Sequence, residues 1–434
     1  MVHLKREERD ELGECCWSGV LPGGVEVYLM PKEGFYRQSA LLAVDFGSID
    51  CSVKVPGGNG WEREIPAGTA HFLEHLMFQK PGGDISELFS LLGADVDADT
   101  SFIGTSFFCS GNDHLEENLQ LLLKLVFEPH LTQECIDRER EIIFREIQLS
   151  EDNLEWISYF HALETIFPGH PLSTDIAGNL EEIGKIDLET LELCYRAFYS
   201  PPNMALYICG DIDPFDVAGK IGERLQEQKG VECYPHQPHC RTLPPEGEPL
   251  ERRRELPVVQ PHLTLAFRDR RKGLGGAELL KRELALELLL DILFGPGSPF
   301  FNTYYEEGVI DPASFGFDVY AEPWFTACLI AGDVRDARFF EKAVIGVLHQ
   351  AKTDGLLPDD FTRAKRKAFG HTIQGFDQVD SCLHLMHSAV SCGAQPFDFL
   401  RAYHGVEIGD LEEGLEACLN PDRYGLSLIE PGDG

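Results

Sequence analysis

The chain has 434 residues, 43% of them hydrophobic and 25% charged, with a formal net charge of −36. That length exceeds one ordinary core and implies two or three domains of a soluble globular protein. The acidity argues against nucleic acid or an anionic membrane as partner, since both repel such a surface; it could steer basic peptides towards a cleft, but plain surface solvation is the commoner explanation. No apolar run approaches the ~18 residues needed to cross a bilayer, and residues 1–10 lack an apolar h-region. The thirteen cysteines are scattered, often within apolar segments. A cytoplasmic protein with reduced, mostly buried thiols is expected.

In chain order, residues 24–30 (GVEVYLM) and 39–46 (SALLAVDF) read as β-strands, with turn chemistry at Pro31-Lys32-Glu33-Gly34. The stretch Gly68-Thr69-Ala70-His71-Phe72-Leu73-Glu74-His75-Leu76-Met77-Phe78 suits a buried helix, yet it carries two histidines and a glutamate. His71 and His75 share one helix face, one turn apart, and Glu74 borders that face. Two neutral imidazoles so placed can hold a divalent zinc, with a nearby carboxylate to take a proton from water. The plainer reading is a core helix whose histidines hydrogen-bond internally. Residues 84–92 (DISELFSLL) have helical periodicity and stop at Gly93, and residues 100–110 form a third strand candidate.

A long helix is expected over residues 114–127, closed by Pro129. Another is expected from about Thr132 to Gln148, with Ile142, Ile143 and Ile147 marking its buried stripe. Glu139 and Glu146, two turns apart, lie on one face of it; solvation is the ordinary explanation for such glutamates. Residues 204–210 (MALYICG) read as an apolar strand. From about Gln226 the chain carries Pro235, Pro238, Pro244, Pro245, Pro249 and Pro257 without apolar periodicity, which reads as an interdomain linker. Within it, Cys233, His236, His239 and Cys240 are possible ligands of a second metal, in none of the standard zinc spacings.

The second half repeats the first in outline. Leu76-Met77-Phe78 falls on Ile292-Leu293-Phe294, Gly93 on Gly308, and Ile147-Gln148 on Ile373-Gln374. In this register His71 faces Glu287, Glu74 faces Leu290, His75 faces Asp291, Glu139 faces Lys365 and Glu146 faces Thr372. The architecture is kept and the metal chemistry lost.

Several stretches resemble the pitrilysin/insulinase family of zinc peptidases, whose inverted H-x-x-E-H helix is the inverzincin signature. They are Gly68-x-Ala70-His71-Phe72-Leu73-Glu74-His75-x-Met77-Phe78, Asp97-Ala98-x-Thr100-Ser101, Glu139-x-x-Ile142-Ile143-x-x-Glu146-Ile147, Asp175-Ile176-Ala177-Gly178, and Asn203-Met204 through Gly210. The likeness is strongest to short bacterial members related to mitochondrial processing peptidase. Gly47-Ser48-Ile49-Asp50 and Glu116-Glu117-Asn118-Leu119 look most like the YmfH-type branch.

The resemblance implies an α+β fold of two homologous halves, each a mainly antiparallel sheet with helices packed on one face. Residues 1–225 would be the catalytic half, 226–257 the linker and 258–434 the degenerate half. It implies a zinc endopeptidase for short or unfolded peptides, with one zinc on His71, His75 and Glu146, Glu139 orienting a histidine ligand, and Glu74 as the base. Peptide would bind as an added strand at a sheet edge, at the positions of Asp97, Ala98 and Thr100. The family usually has asparagine where this chain has Asp97, and an aspartate cannot donate as asparagine does. An arginine and a tyrosine that contact substrate in the family fall here on Tyr304 and Asp311, so that pair is absent. A homologous zinc-free partner subunit supplying it, in a clam-like chamber, is therefore expected. Two alternatives remain open: a non-catalytic scaffold of the same fold, and a maturase dedicated to one peptide.

Overall fold

The computed structural model describes residues 2–9, 11–54, 62–227, 241 and 247–432. The chain forms two compact units, and neither is a continuous stretch. The first comprises Met1–Leu149, Thr174–Arg241 and Ile373–Ser388; the second comprises Ser150–Ser173, Thr242–Thr372 and Ala389–Gly434. The expected division at 225 and 258 missed this interleaving. The candidate ligands Cys233, His236, His239 and Cys240 lie outside the described residues.

The strands of the first unit are β1 (Leu4–Arg9), β2 (Glu14–Val20), β3 (Glu26–Pro31), β4 (Gln38–Val44), β5 (Ser52–Lys54), β6 (Glu62–Glu64), β7 (Gln79–Lys80), β8 (Gly83–Asp84), β9 (Asp95–Thr100), β10 (Thr105–Gly111) and β11 (Met204–Gly210). β5 pairs with β6 and β7 with β8. The rest form one sheet in the order β1-β2-β3-β11-β4-β10-β9, antiparallel except for β3 and β11. Alternation decides which side chains face which layer. Leu206 aligns with Leu42 and Val27, Ile208 with Ala40 and Leu29, and Phe107 with Leu42. These residues point into the core beneath the helices Thr69–Phe78, Leu115–Phe127, Gln133–Ser150, Leu188–Phe198 and Pro214–Glu227.

The opposite face is also covered. The helix Val379–Ser391 brings His387 onto Tyr207, with ring centroids 5.4 Å apart, and Met386 Sδ to 3.7 Å from Cys16 Sγ. Asp380 accepts from Arg37 Nε at 2.8 Å.

The second unit holds β12 (Glu251–Leu256), β13 (His262–Arg268), β14 (Gly316–Glu322), β15 (Phe325–Asp333) and β16 (Gly425–Pro431) in the order β12-β16-β13-β15-β14, antiparallel except for β12 and β16. Its core is led by the helix Gly276–Phe294, and the helix Leu154–Ile166 is bound to the sheet by Ser158 to Thr264 at 2.8 Å and His161 Nδ1 to Ser427 Oγ at 2.7 Å. Gly425 has to be glycine, because a Cβ there would lie 1.9 Å from Thr165 Oγ1. No single helix among the described residues is long and apolar enough to cross a membrane; the apolar pair Gly276–Phe294 and Pro299–Glu306 is bent by 40°.

The short helix expected before Gly93 is Ser86–Leu91, and its counterpart before Gly308 is Pro299–Glu306; both glycines take positive φ, 68° and 65°. Two expectations need correction. The stretch taken as linker contains β12, whose sequence ERRREL is held by backbone pairing to β16 and carries no apolar alternation. Ile142 is 42% exposed, so the buried stripe of its helix runs Ile136, Glu139, Ile143, Ile147. Ile142 is turned to the exposed side, a turn away from Glu146.

Arg241, the one described residue between Glu227 and Gly247, is held firmly. Its guanidinium donates to Asp50 Oδ1 at 2.8 Å and Oδ2 at 2.6 Å, and to the Ile103 carbonyl at 2.7 Å. Both side chains of the Arg241–Asp50 pair are 1% exposed. Asp50 in turn accepts from Gly47 N, and Ile49 N donates to Phe102 O, so this pair secures the loop that follows β9. Arg241→Met strands a buried carboxylate and should lower the unfolding free energy by about 3–5 kcal/mol. Urea denaturation of the two proteins measures it, and an unchanged midpoint would contradict the role given to this pair.

Candidate active site

The helix Thr69–Phe78 begins where it does because of two close backbone approaches. Gly68 has φ 85°, and a Cβ on it would lie 2.4 Å from the Ala177 carbonyl and 2.5 Å from Ile183 Cδ1. A Cβ on Gly178 would lie 2.6 Å from the Ala67 carbonyl. The turn Asp175-Ile176-Ala177-Gly178, closed by Ala177 N donating to Asp175 Oδ1 at 2.8 Å, is therefore seated on the start of the helix. Ala70, Phe72, Leu73, Leu76 and Met77 anchor the helix in the core, leaving His71 and His75 half-buried on one side with their ring centroids 4.7 Å apart.

The second helix, Gln133–Ser150, meets that side. Glu139 lies within its buried stripe, and Glu139 Oε2 is 3.5 Å from His75 Nδ1. Two turns on, Glu146 Oε2 is 3.3 Å from His75 Nε2. Ligand atoms of His71, His75 and Glu146 all lie within 4.8 Å of one another. Two nitrogens and a carboxylate oxygen are a donor set that fits zinc, and a tetrahedral site with bonds of about 2.0–2.1 Å has edges of about 3.3 Å. His71 Nδ1 is buried with no hydrogen-bond partner among the described residues. A buried donor or acceptor left unpaired is costly, so a cation at this spot fits an otherwise unsatisfied set.

The electrostatics follow from the same contacts. Burial and the neighbouring imidazole hold His71 well below its ordinary pKa, against the opposing pull of Glu146. Burial would also lower His75, but hydrogen bonds to Glu139 and Glu146 outweigh it and hold that ring up at about 9. Without metal the pair shares one proton, on His75. Glu146 is lowered, chiefly by its hydrogen bond to His75. Burial pushes Glu74 up to about 7, against the opposing hydrogen bond from Thr100. A carboxyl that titrates near neutrality can both take and return a proton.

The three residues expected at a substrate edge divide into two kinds. β9 is the edge strand of the seven-stranded sheet, with Asp97 exposed and Ala98 half-buried. Asp97 Oδ1 accepts from the Ala98 N–H at 2.9 Å, a contact that an asparagine Oδ1 would make equally. Thr100 is buried, and its hydroxyl donates to Glu74 Oε2 at 2.5 Å. Sequence reasoning missed that contact and the Thr105 hydroxyl behind it; a lone threonine at a strand end gives no signal. Tyr304 packs edge-on against Phe300 at 4.8 Å between centroids, and Asp311 Oδ1 accepts from Ala313 N at 2.9 Å.

Residues 48–179 match the family model for insulinase, peptidase family M16, and residues 185–368 match the model for the peptidase M16 inactive domain. The uncharacterized zinc protease YmfH of Bacillus subtilis (strain 168) is 30% identical over 432 residues, spanning 99% of each chain. The crystal structure of an M16-like peptidase from Alicyclobacillus acidocaldarius superposes with a TM-score of 0.91 at 28% identity, covering 98% of this chain and all (100%) of that one. Pitrilysin shares the fold at a TM-score of 0.75 and 17% identity, with 100% of this chain matching 47% of that one. The chain is a member of peptidase family M16, the insulinase family, of the YmfH type.

Proposed function

We propose that this chain is a cytoplasmic zinc endopeptidase that hydrolyses short or unfolded peptides within a clam-like chamber, as the catalytic subunit of a heterodimer. The observation that carries the reading is the convergence of His71, His75 and Glu146 from two helices beside a buried Glu74. His71, His75 and Glu146 would hold the zinc and leave one position open, as a catalytic rather than structural site requires. Bound there, zinc supplies a Lewis acid that polarises the scissile carbonyl and makes water more acidic. Glu139, buried against Nδ1 of His75, fixes that ring so that Nε2 points at Glu146. Glu74 takes a proton from water and hands it to the departing amine. The peptide pairs with the free edge of β9, through main-chain bonds indifferent to sequence. The partner subunit supplies the substrate-contacting arginine and tyrosine whose places are taken here by Tyr304 and Asp311. A scaffold role is less well supported, because every ligand and the base are present.

Glu74→Gln should keep about one zinc per chain and lose at least about a hundredfold in peptide hydrolysis. Metal analysis with a fluorogenic peptide assay checks this; a zinc-free wild-type chain would sink the reading. Wild-type chain alone should turn over slowly, and a zinc-free homologue should raise the rate; full, partner-independent hydrolysis would remove the heterodimer.

Zinc binding should also be pH-linked. His75 has to lose its proton to serve as a ligand, so below about 9 the apparent affinity rises about tenfold per pH unit, and roughly one proton is released per ion. The same raised pKa stabilises the metal-free fold below the ordinary histidine value, and that contribution is lost as pH climbs through about 9. Calorimetry in buffers of different ionisation enthalpy measures the proton release; a binding enthalpy independent of buffer would exclude it.

A further inference from the structure

Thr100 ends β9, is 6% exposed, and donates to Glu74 Oε2 at 2.5 Å. Among the described residues no protein donor reaches the other carboxylate oxygen. Behind Thr100, across the β9–β10 pairing, Thr105 Oγ1 lies 3.3 Å from Thr100 Oγ1 and gives its own proton to the Phe46 carbonyl at 2.9 Å. Thr105 can therefore compete for the Thr100 proton only as a longer, uncharged acceptor, and the short bond to the carboxylate prevails. The terminal torsion of a glutamate is soft and roughly two-fold, so without such a bond the two oxygens would exchange places freely.

We infer that Thr100 is a positioning residue for the base: it holds Oε2 of Glu74 and leaves Oε1 as the oxygen that exchanges protons with water and the leaving amine. This moves Thr100 from the peptide-contacting role that the resemblance implies to one acting through Glu74. It also links two parts of the site. The strand whose free edge would receive the peptide carries, in its last residue, the donor that orients the base. The inference rests on the peptidase reading for its catalytic consequence, while the orienting bond itself can be tested without turnover.

The test compares Thr100→Val, which keeps the β-branched shape and removes the donor, with Thr100→Ser, which keeps the hydroxyl, both zinc-loaded. Thr100→Val should lower kcat about 10- to 100-fold, the loss of one hydrogen bond to a charged group. KM should stay within about twofold and zinc content should be unchanged, as for an interaction that matters in the reaction rather than in binding. Thr100→Ser should recover most of kcat. Full kcat in Thr100→Val, or equal loss in both variants as packing alone would give, overturns the assignment. A crystal structure of zinc-loaded Thr100→Val provides the second arm: the Glu74 carboxylate should leave its wild-type orientation, and an unmoved carboxylate overturns the inference. If zinc-loaded wild-type protein shows no hydrolysis even with the zinc-free homologue present, the peptidase reading fails, and the structural arm still decides the role of Thr100.

Discussion

One imidazole holds the site together. His75 presents Nδ1 to Glu139 and Nε2 to Glu146, two carboxylates seven residues apart on a single facing helix. For both contacts to form, the helices Thr69–Phe78 and Gln133–Ser150 must cross at one depth and one rotation. The core enforces this through Phe72, Leu76, Ile143 and Ile147, and the Gly68–Ala177 approach fixes where the first helix starts. The site is thus built into the packing of two helices and does not wait on a loop, which is how metal sites of defined geometry are generally supported. Its cost is equally local: an orphaned nitrogen on His71 and a carboxyl driven up by burial.

Much of this was legible in the amino-acid sequence. The strand at Met204–Gly210 and the helix Thr69–Phe78 follow from apolar patterning, and Glu139 and Glu146 fall on one face by arithmetic alone. What was not legible had physical reasons. β1 gave no strand signal and β12 lay within the stretch read as linker, because edge strands exposed to water carry arginine and glutamate where buried strands carry valine. The first part of the β9–β10 hairpin, DVDADT, is rich in a residue disfavoured in strands, and its pairing with β10 overrides that preference. Ile142 was placed in the buried stripe by its type, whereas the true stripe accepts Glu139, a residue that no hydrophobic pattern would put there.

The second unit shows the same architecture without the chemistry. Asp291, in the register position of His75, accepts from Lys367 Nζ at 2.6 Å; Thr372, opposite Glu146, bonds Tyr403 at 2.7 Å; Lys365, opposite Glu139, donates to the Val406 carbonyl at 2.9 Å. These three counterparts are paired by their own neighbours. Among the described residues, the one cluster of side chains able to hold a metal ion is His71, His75 and Glu146 of the first unit.

The interleaving of the two units bears on how the chain is made. The first sheet buries Tyr207, Cys16 and Phe108 against residues that lie beyond position 372, and the second sheet takes the helix Leu154–Ile166 from before position 174. A ribosome synthesising the chain therefore exposes the first sheet with one face bare until the helix Val379–Ser391 has been made. The helix Thr69–Phe78 can pack early, but its unit cannot close until the helix that begins at Val379 arrives. Cutting the gene between the halves would yield two fragments, each missing a wall.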